Sequence, residues 1–398
     1  MTPKSPSSLV CHKVGQFDFS NTIVWGLIAL FITPKPHLNR PKPLYDNEQL
    51  MKLSILNLVP VRQGQNYPQA MQSMVTLAQF AENIGIERYW IAEHHNMKNL
   101  ASSATSLLIQ HTLANTKTLK VGSGGVMLPN HAPYVVAESY GTLETLYPNR
   151  VELGLGRAPG TDGRTALALR RGRREFDFPT EIAELRGYFD DCNPVSAYPS
   201  AGLDIPFYIL GSSTESAYLA AKLGLPYAFA SHFAPRMLEM AVEIYHTNFK
   251  PSKYLDKPYV IVGVNAIVAD TDERARELAT TQTQFFINVV TNAQQNLQPP
   301  KASNDEVWRD FQRDKQSAGG VHFGPVDLDT LPIYSQERAV VEDMTACSLI
   351  GSPASVTYQL SALRDKVPFD EIMAVSYIYD EGEQMKSYEL LKGIVDKV

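Results

Sequence analysis

The sequence predicts an α/β protein whose main domain is a (β/α)8 barrel, a TIM barrel with two long insertions at its C-terminal rim. From Met51 onward, short apolar segments rich in β-branched and aromatic residues alternate with longer amphipathic segments, which is the pattern of repeated βα units. Eight strand segments occur, and eight parallel strands with helices between them close most naturally into a barrel. An open doubly wound sheet is the alternative, but no GxGxxG sequence follows the first strand.

Local composition predicts each strand and helix in turn. The first predicted helix repeats apolar residues at helical spacing and stops at Gly85, a residue type that favours the position after a helix. The predicted strands are KLSILNL, RYWIAE, KVGSGGVML, RVELGLG, PFYILG, YAFA, YVIVGVNAIVA and EIMAVSYI. The predicted helices cover residues 68–84, 101–115, 133–146, 214–223, 235–248, 272–283, 336–348 and 383–396. Segments 158–199 and 286–335 exceed ordinary loop length, and we expect them to shape or cover an active site.

Composition excludes some classes of function. Of the 398 residues, 44% are hydrophobic and 20% are charged, which suffices for a large core. The net charge of -6 argues against nucleic-acid binding, which needs a basic face to neutralise phosphates. Cys11, Cys192 and Cys347 are odd in number and far apart, so they indicate neither a disulfide framework nor a metal site. We therefore expect a reducing, cytoplasmic location.

Residues 1–50 differ in composition from the remainder. They contain an apolar run at 22–33 and a proline-rich stretch after it. The run is shorter than the roughly 20 residues that cross a membrane, and no small-residue cleavage site follows it. We predict an N-terminal extension outside the catalytic fold, which occupies residues 51–398, and no membrane partner. A targeting or anchoring segment is the alternative.

The segment WIAEHHN ends the second predicted strand and contains Glu93, His94 and His95. Adjacent strand residues point to opposite faces, so only one of the two imidazoles can face the barrel mouth. This disfavours a metal site, whose ligands must converge on one point, and we predict no metal. His94 is suited to proton transfer near neutral pH, and Glu93, His95 and His131 are candidate substrate-pocket residues. The alternative is that these histidines only hydrogen-bond neighbouring loops.

Glycines interrupt the third predicted strand at Gly122, Gly124 and Gly125. Glycine weakens a strand, so such a cluster indicates a bulge or a flat ligand against the backbone. A tight barrel bend without any ligand is the alternative. The pattern predicts an irregular strand, and its ligand remains open at this point.

Two rim segments carry features that suit an anion. Arg157 follows the fourth strand, where a guanidinium can bind a phosphate or carboxylate with two hydrogen bonds, although a surface ion pair is the alternative. Ser212, Ser213 and Thr214 lead into a helix after the fifth strand, and a helix N-terminus favours a phosphate. Simple capping by Ser212, which has capping-box spacing to Glu215, is the alternative there. The arginine-rich stretch GRTALALRRGRRE predicts a partly exposed helix or lid rather than a second anion site.

Six segments in order resemble the bacterial luciferase-like monooxygenase superfamily, and the resemblance covers residues 51–398. They are LSILNLVPV, WIAEHH, VGSGGVMLPNHAPYVVAE, NRVELGLGRAPGTD, ILGSSTESAYLAAKLGLPYAFA, and LIGSPASV with EIMAVSYIYD. Each alone is weak, but the ordered set is highly specific. The GRAPGTD and GSS forms are most similar to the luciferase alpha-chain-like branch.

The resemblance implies roles for particular residues. His94 corresponds to the family's catalytic histidine beside the flavin, and Ser123 with Gly124 to a non-prolyl cis peptide against which the flavin ring packs. The FMN phosphate site corresponds to Arg157 and to Ser212, Ser213, Thr214 and Ser216. Gly156 stands where the light-emitting chain carries a reactive cysteine, so neither light emission nor long-chain aldehyde specificity is implied.

The activity implied is that of a flavin-dependent monooxygenase acting on a small organic substrate with molecular oxygen. Reduced FMN would come from a separate flavin reductase, and homodimers are common in the family. Three alternatives stay open: hydride transfer with a deazaflavin, a flavin-binding paralogue without catalysis, and, least favoured, a metal-dependent hydrolase.

Overall fold

The computed structural model describes residues 50–170, 177–318 and 336–398. The apolar run at 22–33 therefore lies outside the described residues, as do Arg171, Arg173 and Arg174 of the arginine-rich stretch. Residues from Leu50 to Val398 form one compact unit. No helix among the described residues is both long enough and apolar enough to cross a membrane.

The predicted barrel is confirmed. Eight parallel strands form a closed ring in the order β1-β2-β3-β4-β5-β6-β7-β9, because β9 pairs with both β7 and β1 and β6 pairs with β7. The strands are β1 Lys52–Asn57, β2 Arg88–Ile91, β3 Lys120–Met127, β4 Val151–Gly156, β5 Phe207–Gly211, β6 Tyr227–Phe229, β7 Val260–Val268, β8 Ser348–Gly351 and β9 Glu371–Val375. All eight predicted strands are those of the ring.

One strand was not predicted. β8 pairs with the last four residues of β7, from Asn265 to Val268, beyond most of the β9 pairing. The helix predicted for residues 336–348 instead ends at Met344, and Ser348 begins β8. Four residues, SLIG, are too few to show strand periodicity, so the sequence alone did not distinguish them from a helix end.

Twelve α-helices lie among the described residues. They are α1 Tyr67–Asn83, α2 Thr105–Ala114, α3 Pro133–Leu146, α4 Gly163–Arg170, α5 Phe178–Phe189, α6 Thr214–Leu223, α7 Leu238–Asn248, α8 Asp272–Thr291, α9 Asn304–Ala318, α10 Gln336–Met344, α11 Pro353–Lys366 and α12 Glu381–Val395. The sequence did not predict α5, α9 and α11, and it ended α8 eight residues early, at 283.

Helix α1 illustrates how local sequence sets an element. Asn66 accepts a hydrogen bond from the Gln69 N–H, and the Gln69 side chain accepts one from the Asn66 N–H, which forms a capping box. Pro68 stands in the first turn, where its missing N–H costs nothing. Met74, Ala78 and other residues of one face are buried against the barrel. The start of this helix and its buried face therefore follow from its own residues.

Both predicted insertions contact the rim. In the first, α4 has no buried residue, which confirms the partly exposed helix, and Arg170 at its end donates to the carbonyls of Leu128 and Pro129. In the second, the Gln294 side chain accepts from the Lys98 N–H and donates to the Asn96 carbonyl, in the loop after β2. Long segments that were predicted to cover the barrel mouth therefore lie beside its rim loops.

The N-terminal end of the barrel is filled by a buried ionic network. Arg88 donates to Glu152 at 2.8 Å and to Glu371, and all three side chains are buried. Trp90 and Tyr208 donate to Glu152 at 2.8 and 3.1 Å, and Tyr259 donates to Glu371 at 2.6 Å. Burial by itself would lower the pKa of Arg88, but Glu371 and Glu152 hold the pKa well above its usual value. The network closes this end of the barrel.

We expect Arg88→Met to destabilise the fold strongly, because it leaves the carboxylates of Glu152 and Glu371 buried without a cation. Breaking a buried pair in this way costs about 3–5 kcal/mol. Urea unfolding followed by circular dichroism measures the change. Arg276→Met is the matched control, because Arg276 pairs with Glu273 on an exposed helix face and such pairs contribute little. Equal stability of the two variants would contradict the prediction.

Candidate active site at the barrel mouth

The predicted site residues lie at one end of the barrel, here called the barrel mouth, where the strands end at their C-termini. Glu93, His94 and His95 follow β2, His131 follows β3, Arg157 follows β4, and the Ser212–Ser216 segment follows β5. In TIM barrels the βα loops at this end form the active site. The fold therefore brings these segments, which are separated in sequence, to one rim.

Glu93 is the centre of a hydrogen-bonded cluster. Its Oε1 accepts from His95 Nε2 at 2.8 Å and from His131 Nε2 at 2.7 Å, and its Oε2 accepts from the Met127 N–H at 3.2 Å. The carboxylate is buried, and burial by itself would raise its pKa. The hydrogen bonds from His131 and His95 outweigh burial and hold the pKa of Glu93 at about 2. Glu93 is thus an anion that ties the β2 and β3 loops together.

Glu93, His95 and His131 are also the group of side chains that could hold a metal ion, with ligand atoms within 4.8 Å of one another. Ligands 2.0–2.1 Å from a tetrahedral zinc lie about 3.3 Å apart. The two histidine-to-carboxylate distances of 2.7 and 2.8 Å are shorter and are those of charge-assisted hydrogen bonds. The geometry favours a hydrogen-bonded cluster, and the absence of a metal stays a prediction.

His94 turns away from this cluster, as expected for adjacent strand residues. Its backbone N–H donates to the Ser102 carbonyl, and its Nδ1 is buried without a hydrogen-bond partner among the described residues. Burial lowers the pKa of His94 to about 4. The imidazole is therefore neutral at physiological pH in the free protein, and its Nδ1 can still form a hydrogen bond.

The third strand contains the predicted bulge. Its register with β4 shifts between Ser123 and Val126, so β3 has an extra residue there. The cis peptide lies between Gly124 and Gly125, one residue beyond the predicted Ser123–Gly124 bond. This corrects the prediction, because the bulge begins after Ser123, whose pairing with Leu153 is still regular.

Close packing accounts for part of the glycine pattern. A Cβ on Gly122 would come within 2.5 Å of the Glu152 carbonyl, and one on Gly124 within 2.5 Å of Leu56. Ser123 is fully buried, and its hydroxyl donates to the Gly154 carbonyl at 2.9 Å. Ser123 can therefore contribute to a flavin platform only through its backbone. Its cofactor role and that of Gly124 stay predictions.

The two predicted anion-binding groups lie on neighbouring strands. Arg157 is exposed directly after β4, and α6 begins at Thr214 after β5, with Ser213 as the N-cap residue. The Ser213 side chain makes no capping hydrogen bond to the helix, and Ser212 is not the cap, so the capping-box interpretation is wrong. The hydrogen bond from Ser213 lowers the pKa of Glu215, and the positive charge of Arg157 lowers it further. Arg157 therefore lies within electrostatic reach of the helix start.

The hydroxyl groups of Ser216 and Tyr227 hold the backbone of the turn before α6 in place. The Ser216 hydroxyl donates to the Ser213 carbonyl at 2.7 Å, and Tyr227 donates to the same carbonyl at 3.1 Å. Ser212 and Thr214 are half-buried at the rim. Ser216 thus holds the shape of the turn, and Ser212, Ser213 and Thr214 are the members of the set left at the rim to face an anion.

Sequence reasoning missed two polar residues at the mouth, His232 and Asn265. His232 follows β6 and is buried, and Asn265 is a fully buried residue of β7. Two signals were available: the histidine in SHF directly after the strand YAFA, and a single amide within the otherwise apolar strand YVIVGVNAIVA. Neither has a motif spacing, so only the fold shows that they face the same opening as His94.

The chain is a TIM-barrel protein with histidines, an arginine and a helix N-terminus at the barrel mouth. Comparison with known proteins identifies the family. The luciferase-like monooxygenase family model matches residues 51–368, and the chain belongs to this family. It is 42% identical over 356 residues to a luciferase-like monooxygenase of Escherichia coli (strain K12), covering 88% of this chain and 99% of that protein. It is 43% identical over 347 residues to the uncharacterized protein YvbT of Bacillus subtilis (strain 168), covering 86% and 96%.

Solved structures agree on the fold. Apo-MsnO8 superposes with a TM-score of 0.72 at 30% identity, covering 88% of this chain and 99% of that chain. The oxygenating component of 3,6-diketocamphane monooxygenase of Pseudomonas putida, in complex with FMN, gives 0.60 at 18% identity, covering 87% and 98%. An F420-dependent secondary alcohol dehydrogenase gives 0.54 at 14% identity, covering 87% and 99%. The last two are similar in fold alone.

The Glu93 cluster predicts a specific pH dependence of stability. The folded pKa of about 2 lies below the unfolded value of 4.5, so the stabilisation is complete above pH 4.5 and is lost as pH falls towards 2. We expect Glu93→Gln to lower the free energy of unfolding by roughly 3 kcal/mol at pH 7. The difference from the wild type should narrow between pH 4.5 and 2.

Urea unfolding at pH 7 and pH 3.5 tests this expectation. Glu239→Gln, on the exposed face of α7, is the control and should leave stability unchanged at both pH values. A difference between the Glu93 variant and the wild type that is the same at both pH values would show that its effect is not a titration of the carboxylate.

Proposed function

We propose that this chain is a flavin-dependent monooxygenase that uses reduced FMN and molecular oxygen to oxidise a small organic substrate. A separate flavin reductase supplies the reduced FMN. Per turnover, one oxygen atom enters the substrate, the other leaves as water, and reduced FMN returns to its oxidised form. Family membership supports this class of reaction. The single observation that carries the cofactor is that Arg157, after β4, lies within electrostatic reach of the start of α6, after β5.

The residues at this rim fit the phosphate of FMN. A guanidinium can bind two phosphate oxygens, and a helix N-terminus presents N–H groups and a partial positive charge to the same anion. Ser213 leaves the first turn of α6 without a side-chain cap, and Ser212 and Thr214 lie beside it. Glu215 opposes an anion there, and its attraction to Arg157 competes with phosphate. A phosphate dianion carries more negative charge than the single carboxylate of Glu215, so it would be the stronger attractor of Arg157.

The mouth residues then have separate tasks. His94 is neutral and has an unpartnered buried nitrogen, so it can hydrogen-bond the reacting groups and hold a proton between them. Glu93, held by His95 and His131, fixes the backbone on which His94 stands. The described parts of the two insertions contact the rim loops, where they would limit access of water to the site. Bound reduced FMN supplies the electrons for oxygen chemistry, and the protein supplies position and hydrogen bonds.

A deazaflavin is the second candidate cofactor. The fold of the F420-dependent alcohol dehydrogenase, similar to this one, supports keeping it. A deazaflavin would transfer hydride and would not need oxygen. Anaerobic substrate turnover with that cofactor, without turnover of reduced FMN and oxygen, would favour the hydride-transfer enzyme over the monooxygenase.

Charge changes at the phosphate site should act on FMN and leave riboflavin unaffected. We expect Arg157→Ala to weaken FMN binding at least about tenfold, because it removes charged hydrogen bonds worth about 1.5–3 kcal/mol. Glu215→Gln should strengthen FMN binding severalfold, because it removes the competing carboxylate. Riboflavin, which has no phosphate, should change less than about twofold with either variant. Flavin fluorescence titration measures both affinities.

Arg164→Ala is the matched control for the phosphate site, because Arg164 is an exposed arginine of α4. It should leave the affinity for both flavins unchanged. If Arg157→Ala weakened FMN and riboflavin equally, the arginine would not bind the phosphate, and the assignment would fail.

His94→Ala should reduce oxygen-dependent turnover by about two orders of magnitude or more, which is the range typical of a residue that transfers a proton. The affinity for FMN should stay within about twofold, since His94 follows β2, whereas the proposed phosphate site follows β4 and β5. Oxygen uptake coupled to product formation, with a flavin reductase supplying reduced FMN, is the measurement. Unchanged turnover in the variant would remove His94 from the reaction, and flavin binding without any substrate oxidation by the wild type would instead favour a non-catalytic paralogue.

A further inference from the structure

His232 lies across the barrel mouth from His94. In the ring of eight strands, β6 and β2 are four strands apart in either direction, so the residues that follow them face each other. The His232 ring packs against the inward face of β7, with its Nδ1 2.5 Å from where a Cβ of Gly263 would stand. Glycine at 263 therefore makes room for this imidazole inside the ring. The two histidines are close enough for the charge on His94 to influence the pKa of His232.

Three buried polar atoms at this opening have no hydrogen-bond partner in the part of the chain that the structure describes. They are Nδ1 of His94, Nδ1 of His232 and Oδ1 of Asn265. Buried polar groups are nearly always paired, because an unpaired one has lost its hydrogen bonds to water without replacement. Asn265 is on β7, and the two histidines follow β2 and β6, so the three atoms come from three parts of one mouth. Their position indicates that a bound molecule supplies the missing hydrogen-bond partners.

The orientation of Asn265 decides what that molecule must offer. The Asn265 Nδ2 donates to the His232 carbonyl at 2.7 Å, so the amide cannot be reversed without losing this bond. Its Oδ1 is therefore free to accept, and an amide oxygen can only accept. A ligand at this position must carry a hydrogen-bond donor, such as a hydroxyl or an amide N–H.

The charge balance favours a neutral ligand. Burial lowers the pKa of both His94 and His232 to about 4, so neither is a cation at physiological pH. The carboxylate next along the chain, Glu93, is already bound to His95 and His131. A buried ion without a counter-charge costs more than the hydrogen bonds return.

The remainder of this region is apolar and aromatic. Ala228, Ile261 and Val375, from the inward faces of β6, β7 and β9, belong to one buried cluster with Phe285 and Tyr377. The Phe285 and Tyr377 rings stack with centroids 4.2 Å apart, directly beyond the end of β9. Such surroundings suit an apolar or aromatic body attached to the donor group.

We infer that His232 and Asn265 bind the polar group of a neutral substrate, a secondary amide or an alcohol with an apolar or aromatic body. Asn265 accepts from the donor of the ligand, and His232 orients the same group from the opposite side to His94. As the substrate-binding part of the proposed monooxygenase, this site rests on the proposed function. Its ligand chemistry, however, can be tested without flavin or oxygen.

The experiment compares N-benzylacetamide with benzyl acetate, two neutral probes of the same shape that differ in having an amide N–H or an ester oxygen. Binding to the full chain is measured by isothermal titration calorimetry, with and without FMN. The wild type should bind the amide about tenfold more tightly than the ester, as one hydrogen bond to a buried acceptor gives. The ratio of the two affinities does not depend on the folded fraction of a preparation.

Two variants and a control locate the effect. Asn265→Leu removes the acceptor and should bring the amide-to-ester affinity ratio to within about twofold. His232→Phe keeps a ring over Gly263 but removes its nitrogens, and it should lower the ratio. Asn248→Leu, at an exposed amide of α7, should keep the wild-type ratio. If the wild type bound the amide and the ester equally well, water would be the partner of these atoms and the inference would be overturned. An amide-to-ester affinity ratio that stayed unchanged in both variants would also overturn it. So would the lack of saturable binding by either probe. Because the assay has no turnover, failure of the oxygenase reaction is a separate result.

Discussion

Closure of eight parallel strands into a ring is the constraint on which the remaining structure depends. Every strand then ends at the same rim, and inward-facing side chains must fill the ring without clashing. At the N-terminal end the ring is filled by Arg88 with Glu152 and Glu371, and the hydrogen bonds from Trp90, Tyr208 and Tyr259 satisfy the carboxylates. A charged layer of this kind tolerates no missing partner. At the opposite end, Nδ1 of His94, Nδ1 of His232 and Oδ1 of Asn265 have no hydrogen-bond partner among the described residues.

The mouth separates a charged part from a neutral part. Glu93 keeps its negative charge because two imidazoles and one backbone N–H bind it, and this cluster fixes the loops after β2 and β3. His94 and His232 have no such partner and are neutral as a result of burial. Glu93 and His94, which are adjacent in the sequence, thus differ in charge: Glu93 is an anion and His94 is neutral. Arg157 follows β4, the strand between β3 and β5, so this positive charge lies on the part of the rim between the Glu93 cluster and the start of α6.

The glycines of β3 show how one sequence feature can have two physical causes. Gly122 is needed because the Glu152 carbonyl lies where its side chain would stand, which is a packing requirement without any ligand. The bulge after Ser123 and the cis peptide between Gly124 and Gly125 change the direction of the strand at the mouth. The glycine pattern predicted the irregularity, whereas the resemblance to the family placed the cis peptide one residue early.

The sequence by itself determined the order of the ring strands and the rim positions of Glu93, His131, Arg157 and the Ser212–Ser216 segment. Strand alternation, helix periodicity and capping residues such as Asn66 are local, so they can be read without coordinates. Only the tertiary structure decided which rim residues meet: His131 with Glu93, and Asn265 with the carbonyl of His232, opposite His94. Strand β8 likewise depends on the edge that β7 offers to SLIG. These contacts join distant parts of the chain through ring closure and strand register, and no local pattern carries that information.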